Sequence, residues 1–294
     1  MNQYTIDQFS KLTGLNKILI RTWENRYNFM TPKRTSTNIR YYDNFMLTQG
    51  IKYAILSRNG YKISKLINLN ENDLNKLLET ALTLNGDLNL KYEVYTSKLI
   101  ESAIFFNQKQ FNQIYNDCIN DIGFDSFYKE VLIKTMNKVG ILWLNSEINP
   151  AHEHFLSENI RIKLSNEIEK TETTKNKTKW VLFLPEDEFH DIGLLFAYLI
   201  LKTNKEDVIY LGQNLPRETL LSLEKGDYKF LTFIISNKTK GFTKELCEFM
   251  TKNFKKSDIN IITKQPSKEV SGFKNIHNIN NLGDFVKKLN LKKN

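Results

Sequence analysis

Apolar positions at three-residue spacing, Ile6, Phe9 and Leu12, predict a short helix over residues 4–13, and Gly14 predicts its stop. Asn16 can cap a second helix over residues 17–27, on which Ile20 and Trp23 face inward while Arg21 and Arg26 face out. Two short helices around a glycine turn make a helix-turn-helix candidate. Residues 31–42 are polar, basic and interrupted, and predict a hairpin ending in the aromatics Tyr41 and Tyr42, a wing. Helical spacing returns from Asp43 to Leu56, Asn59-Gly60 ends it, and Ile63, Leu66 and Ile67 start another short helix. A small helical protein-binding module has the same pattern.

Residues 70–90, rich in asparagine, leucine and acidic side chains, predict the end of this head and a hinge. Residues 92–164 then predict a run of amphipathic helices, with Leu99, Ile100, Ile104, Phe105, Val131, Leu132, Met136 and Val139 as inward positions. Such a run can close a four-helix bundle. A charged linker is expected over residues 167–179. Beyond it, apolar runs at 180–184, 208–211, 230–235 and 259–263 alternate with helical segments, which predicts a parallel sheet. The expected architecture is multidomain, α and α/β: a winged head over 1–75, a helical bundle over 90–168 and a flavodoxin-like (Rossmann-type) sheet domain over 179–294.

At 294 residues, 40% hydrophobic and 26% charged, the chain suits two or three compact domains. No apolar stretch is long enough to cross a bilayer and the first residues are unlike a signal peptide, so a cytoplasmic protein without a membrane partner is expected. Cys118 and Cys247 lie far apart without a paired-thiol motif and predict buried free thiols. The net charge of +9 invites a nucleic-acid partner, although lysines over 170–179 and 287–293 supply much of it. Arginine placement says more: five fall early, at Arg21, Arg26, Arg34, Arg40 and Arg58, where a reader of double-stranded DNA needs them.

The segment Glu188-Phe189-His190-Asp191-Ile192-Gly193 stands between a strand candidate and the apolar helix candidate at 194–201. A strand-to-helix turn is where α/β folds put ligands, and a histidine there is either a helix cap or a metal ligand whose tautomer acidic neighbours fix. A second polar group, His152-Glu153-His154, opens a helix after Pro150. Histidines two apart point to nearly opposite helix faces, which argues against one zinc held by both.

Over about the first seventy residues the chain resembles the MerR family of transcription regulators. The residues that carry this are Tyr4-Thr5-Ile6, Leu12-Thr13-Gly14-Leu15, Arg21-Thr22-Trp23-Glu24-Asn25-Arg26-Tyr27, Asn38-Ile39-Arg40-Tyr41-Tyr42 and Asn59-Gly60-Tyr61-Lys62-Ile63. The tryptophan-glutamate form of the second helix is similar to the light- and cobalamin-responsive branch, the CarA, CarH and LitR proteins. The resemblance implies DNA contacts from Arg21, Arg26, Arg34 and Arg40, with Tyr41 and Tyr42 bracing the wing.

From about residue 92 onward the chain resembles a cobalamin-binding module. The resemblance implies His190 as the lower cobalt ligand, Glu188 and Asp191 as its partners, and Gly193 as the residue that lets the nucleotide tail approach. It also implies Trp143, Glu153 and His154 as a cover for the upper face, although Leu144 stands where relatives often have histidine. Tyr210-Leu211-Gly212 and Leu215-Pro216 match the end of the second strand and its loop. Ser236 stands where the family passes the tail by a serine, but Asn237-Lys238 and Thr263-Lys264-Gln265-Pro266 depart from the pattern, the latter lacking a glycine pair.

The function implied is a non-enzymatic, DNA-binding transcription regulator that senses cobalamin, adenosylcobalamin in particular, and through it light. Occupancy or photolysis would change oligomerisation as a dimer or tetramer and so the number of heads offered to DNA. The alternative is a regulator whose decayed pocket serves dimerisation or a protein antagonist. A component of a cobalamin-dependent methyltransferase fits less well, since no length remains for a substrate-binding barrel.

Overall fold

The structure, a computed structural model, describes residues 3–84, 88–144, 149–172, 179–223, 226–236, 239, 241–263 and 269–291; of residues 81–84, 141–144, 290 and 291 it describes the backbone alone. They belong to two compact units, Met1–Asn159 and Ile160–Asn294.

The first unit opens with a strand, β1 (Tyr4–Thr5), where the spacing predicted a helix from residue 4. Helix α1 (Ile6–Thr13) begins after Thr5 because Thr5 and Gln8 form a reciprocal capping box, and Gly14 ends it. Asn16 accepts from the Ile18 N–H and starts α2 (Lys17–Tyr27). The expected basic hairpin is β2 (Lys33–Arg34) and β3 (Arg40–Tyr42). Its second strand is central in a small antiparallel sheet, with Tyr4 opposite Tyr42 and Arg34 opposite Arg40. This pairing explains why Tyr4 is extended: it closes the sheet beneath the wing, fully buried. Asp43 caps α3 (Asn44–Arg58), and a single turn, α4 (Ile63–Leu66), follows.

The hinge expected over 70–90 is largely helix, α5 (Glu71–Leu84), after which α6 starts at Leu88. Leu74 and Leu78, four apart and both buried, anchor that helix despite its asparagines. The bundle is then α6 (Leu88–Ile104), α7 (Gln108–Ser126), a π-helical stretch Phe127–Leu132, α8 (Ile133–Leu144) and α9 (Pro150–Lys170). Leu99, Ile100, Ile104, Val131, Leu132 and Val139 are buried as their spacing predicts. Phe105 is exposed because α6 ends one residue before it.

Head and bundle share a charged contact inside this unit. Lys52 of α3, its side chain only 5% exposed, lies 3.2 Å from Glu101 of α6 and 3.4 Å from Glu71 of α5. Around it, α3 packs on α1, α5 and α6.

The second unit begins within α9, which runs through Lys170 and so takes up the first residues of the expected linker. Its sheet has β4 (Lys179–Pro185), β5 (Asp207–Leu215), β6 (Tyr228–Ile234), β7 (Asp258–Thr263) and β8 (Ile276–Ile279). All neighbours are parallel and the order is β5-β4-β6-β7-β8, the flavodoxin-like arrangement. Helix α10 (Ile192–Thr203) connects β4 to β5, α11 (Phe242–Asn253) connects β6 to β7, and α12 (Leu282–Leu291) follows β8. Strand β8 is an addition to the four expected; its Ile-His-Asn-Ile, two polar residues between isoleucines at the sheet edge, gave neither an apolar run nor an alternation to read. Central β4 is apolar and buried from Trp180 through Leu184, as both its faces are covered.

Candidate cofactor and nucleic-acid sites

In the order β5-β4-β6 the chain reverses direction across the sheet between β4 and β6, so the turns leaving these two strands flank the switch point. The 188–193 turn leaves β4, and Ser236 follows β6. Glu188 joins the two turns. Its fully buried carboxylate accepts from the Ile235 and Ser236 N–H groups, each at 2.8 Å, and from the Ser236 hydroxyl at 2.9 Å. Its other oxygen takes the His190 N–H at 3.2 Å and the imidazole Nδ1 at 2.5 Å.

Burial pushes the Glu188 carboxyl up, but the bonds from His190, Ser236 and Ile235 outweigh it and bring it down to about 2. A carboxylate at Nδ1 makes that nitrogen the donor and leaves Nε2 as the nitrogen with a lone pair for a metal. The imidazole is 62% exposed. This donor set would suit a cobalt-bound cofactor: an outward ring, one nitrogen fixed from behind, and an anion to raise its basicity.

The second acidic residue of the turn does different work. Asp191 faces Arg161 of α9, whose Nε and guanidinium NH2 reach its two oxygens at 3.0 and 2.7 Å. Asp191 therefore ties the turn to α9. On the other side Asn214 clasps the turn, its N–H donating to the Glu188 carbonyl and its amide oxygen accepting from the Asp187 N–H. No sequence signal marked Arg161 or Asn214. Tyr210 stacks on Tyr198 of α10, with ring centroids 5.1 Å apart.

Gly193, in the first turn of α10, is approached by Phe233 of β6: an added Cβ would lie 3.0 Å from that ring. The glycine thus admits close helix-on-sheet packing, and the space beside it holds an aromatic side chain. Ser236 donates to Glu188, so its hydroxyl serves the His190 pair in this structure. Asn237-Lys238 and Lys264-Gln265-Pro266 lie outside the described residues.

In the bundle, Trp143 belongs to α8 and its side chain lies outside the described residues. Glu153 and His154 pair with each other at 3.1 Å in the first turn of α9, with His154 exposed. His152 is buried, stacked on Phe106, with Nδ1 3.0 Å from the Asn149 carbonyl. The two histidines thus diverge, and among the described residues no group of acidic, histidine or cysteine side chains could hold a metal ion.

The head presents Arg21, Arg26 and Arg34 to solvent. Arg40 is turned inward: its Nε donates to Glu24 of α2 at 3.0 Å, and the Tyr42 hydroxyl donates to the other Glu24 oxygen at 2.5 Å. Tyr42 is fully buried and stacked on Phe9, which excludes it from direct contact with DNA and makes it a brace. Burial and the Glu24 carboxylate raise its phenol well above the usual tyrosine range. Tyr41 is half-buried. At the wing tip, Arg34 donates to Asn38 at 2.8 Å, across a turn in which Asn38 takes a left-handed φ of 63°.

Two family models match: the MerR HTH family regulatory protein over residues 4–47 and the B12 binding domain over residues 95–166. The chain joins a MerR-family head to a B12-binding module. Consistent with both, it is 26% identical over 220 residues to the HTH-type transcriptional repressor CarH of Myxococcus xanthus, a match covering 74% of this chain and 73% of CarH. The Methanosarcina barkeri monomethylamine corrinoid protein shares the fold, with a TM-score of 0.55 at 16% identity over 67% of this chain and 97% of that one. Together these support a DNA-binding regulator with a cobalamin-binding module. No described helix is long and apolar enough to cross a membrane.

Proposed function

We propose that the protein is a transcription regulator, without catalytic activity, that holds adenosylcobalamin through His190 and changes its hold on DNA when light reaches it. The observation that carries this reading is the His190–Glu188–Ser236 chain of bonds at the switch point of a sheet that follows a MerR-family head. When bound, the cofactor supplies a light-sensitive cobalt–carbon bond. The chain's own residues do the rest. Glu188 holds the imidazole so that Nε2 faces the ligand, while Arg161 and Asn214 fix the turn that carries it. Glu153 and His154 are proposed as further contacts from the bundle, together with Trp143. Occupancy alters self-association into dimers or tetramers, and each added head multiplies the hold on a repeated operator.

The test is a gel shift with the protein's own promoter region, using full chain loaded with adenosylcobalamin in darkness, before and after illumination. Light-dependent mobility that is also lost in high salt supports the reading. Identical shifts in darkness and light, with and without cofactor, contradict it.

A second reading has one observation in its favour. The Phe233 ring fills the space beside Gly193, so a nucleotide tail entering there displaces it. On this reading the module no longer loads cobalamin and serves dimerisation or a protein antagonist. Phe233→Ala separates the two: a gain of cofactor binding over a non-binding parent favours the second.

A further inference from the structure

The solvent face of α2 is not uniformly polar. Ile20 and Trp23 bury one side of the helix, and the opposite stripe runs through Ile18, Arg21, Thr22 and Asn25, at spacings of three and four. Ile18 opens that stripe at the start of the helix and is 74% exposed, with the partly exposed Leu19 at its flank. The Thr22 hydroxyl donates back to the Ile18 carbonyl at 2.8 Å and is thereby engaged with its own helix. A large aliphatic side chain held in water gains free energy only where a partner offers apolar surface.

The surroundings identify that partner's charge. Arg21 is exposed on the same stripe, Arg26 is exposed in the last turn of the same helix, and Lys33 and Arg34 are exposed in the wing strand. The partner is a polyanion. Ile18 is the second residue of α2, and a helix-turn-helix meets base edges with the first residues of this helix. On the major-groove edges of DNA the apolar group is the C5-methyl of thymine; the remaining groups are hydrogen-bond donors and acceptors that isoleucine cannot satisfy.

We infer that Ile18, flanked by Leu19, is a specificity-determining contact that reads thymine methyl groups in the major groove. The inference rests on the DNA-binding reading of the head and names what part of the site is read. It requires that the contacted base be chosen for its methyl and not for its hydrogen-bond pattern. 5-Methylcytosine, which carries a methyl at the same ring position, then binds better there than cytosine.

The experiment starts from duplexes that the full chain selects from a randomised library. Each selected duplex is remade with deoxyuridine in place of one thymidine at a time, which removes only the methyl, and binding is followed by fluorescence anisotropy at fixed salt. Loss of one buried methyl weakens wild-type binding about fourfold. The inference expects this at one or two positions per half-site, and expects Ile18→Ala to be indifferent to the same exchange while Arg21→Ala still responds to it. Equal binding of thymidine and deoxyuridine duplexes at every position overturns the inference and leaves the DNA-binding reading intact. So does an equal loss in wild type and Ile18→Ala, which would make Ile18 a contact to something else. If no duplex is selected, or binding ignores salt, the DNA-binding reading fails and the inference falls with it.

Discussion

Glu188 holds His190 by the imidazole Nδ1 at 2.5 Å, from a position with no solvent exposure. A surface pair of this kind contributes little, whereas a buried carboxylate fixed by Ile235 and Ser236 has one geometry and imposes it on the ring. Glu188→Gln keeps the side chain's shape but removes the charge. The expected outcome is a fall of about 10- to 100-fold in cobalamin affinity, measured by absorbance titration, with Ser236→Ala giving a smaller loss.

Arg161 and Asp191, thirty residues apart in sequence, bind side by side at 2.7 to 3.3 Å. Either alanine variant leaves the other charge partly buried at the α9–α10 contact. Urea unfolding of Arg161→Ala, Asp191→Ala and the double variant gives a coupling energy of about 1 to 2 kcal/mol. Additive single effects would show that the pair does not hold the turn.

Lys52 is a buried cation serving two acids, Glu101 and Glu71. Lys52→Met leaves the mostly buried Glu101 without its partner and destabilises the first unit by about 3 kcal/mol. Adding Glu101→Met recovers most of that, since well-packed apolar side chains replace a buried pair at little loss. Thermal melting of the three variants checks both statements.

In the head, Arg21 and Arg26 are exposed whereas Arg40 is held by Glu24. Arg21→Ala and Arg26→Ala each lower the salt dependence of DNA binding by about one ion if they contact phosphates. Tyr42→Phe leaves that slope unchanged and destabilises the head by about 1 kcal/mol, through loss of one hydrogen bond to a buried carboxylate.

Cys118 and Cys247 are buried, and burial with nearby carboxylates pushes both thiols up to about 12. Only the thiolate reacts, so below pH 10 both remain protonated in the folded chain. Ellman's reagent at pH 8 is expected to label neither until urea is added; prompt labelling of the native protein contradicts this.

The His190 turn was legible because it lies between two unmistakable patterns, the buried run of β4 and the apolar α10. The head was legible for a similar reason, since its caps, Asn16 and Gly14, and its inward pair, Ile20 and Trp23, are local features. What escaped was non-local. Tyr4 extends because Tyr42 lies opposite it, and a two-residue strand has no period to detect. Strand β8 is half polar because it closes the sheet edge. Asp191 read as a partner for its neighbour His190, yet Arg161 claims it across thirty residues. The tie between Arg40 and Glu24 was hidden in the same way, so an arginine suited to phosphate is spent on holding the wing to α2.

The absorbance spectrum of the full chain after incubation with adenosylcobalamin in darkness and removal of free cofactor tests the central claim most directly. The account predicts a retained cobalamin spectrum for wild type, shifted by a histidine ligand, and loss of that shift with weakened retention in His190→Ala. No retained cobalamin, or a spectrum identical in the two proteins, would contradict it.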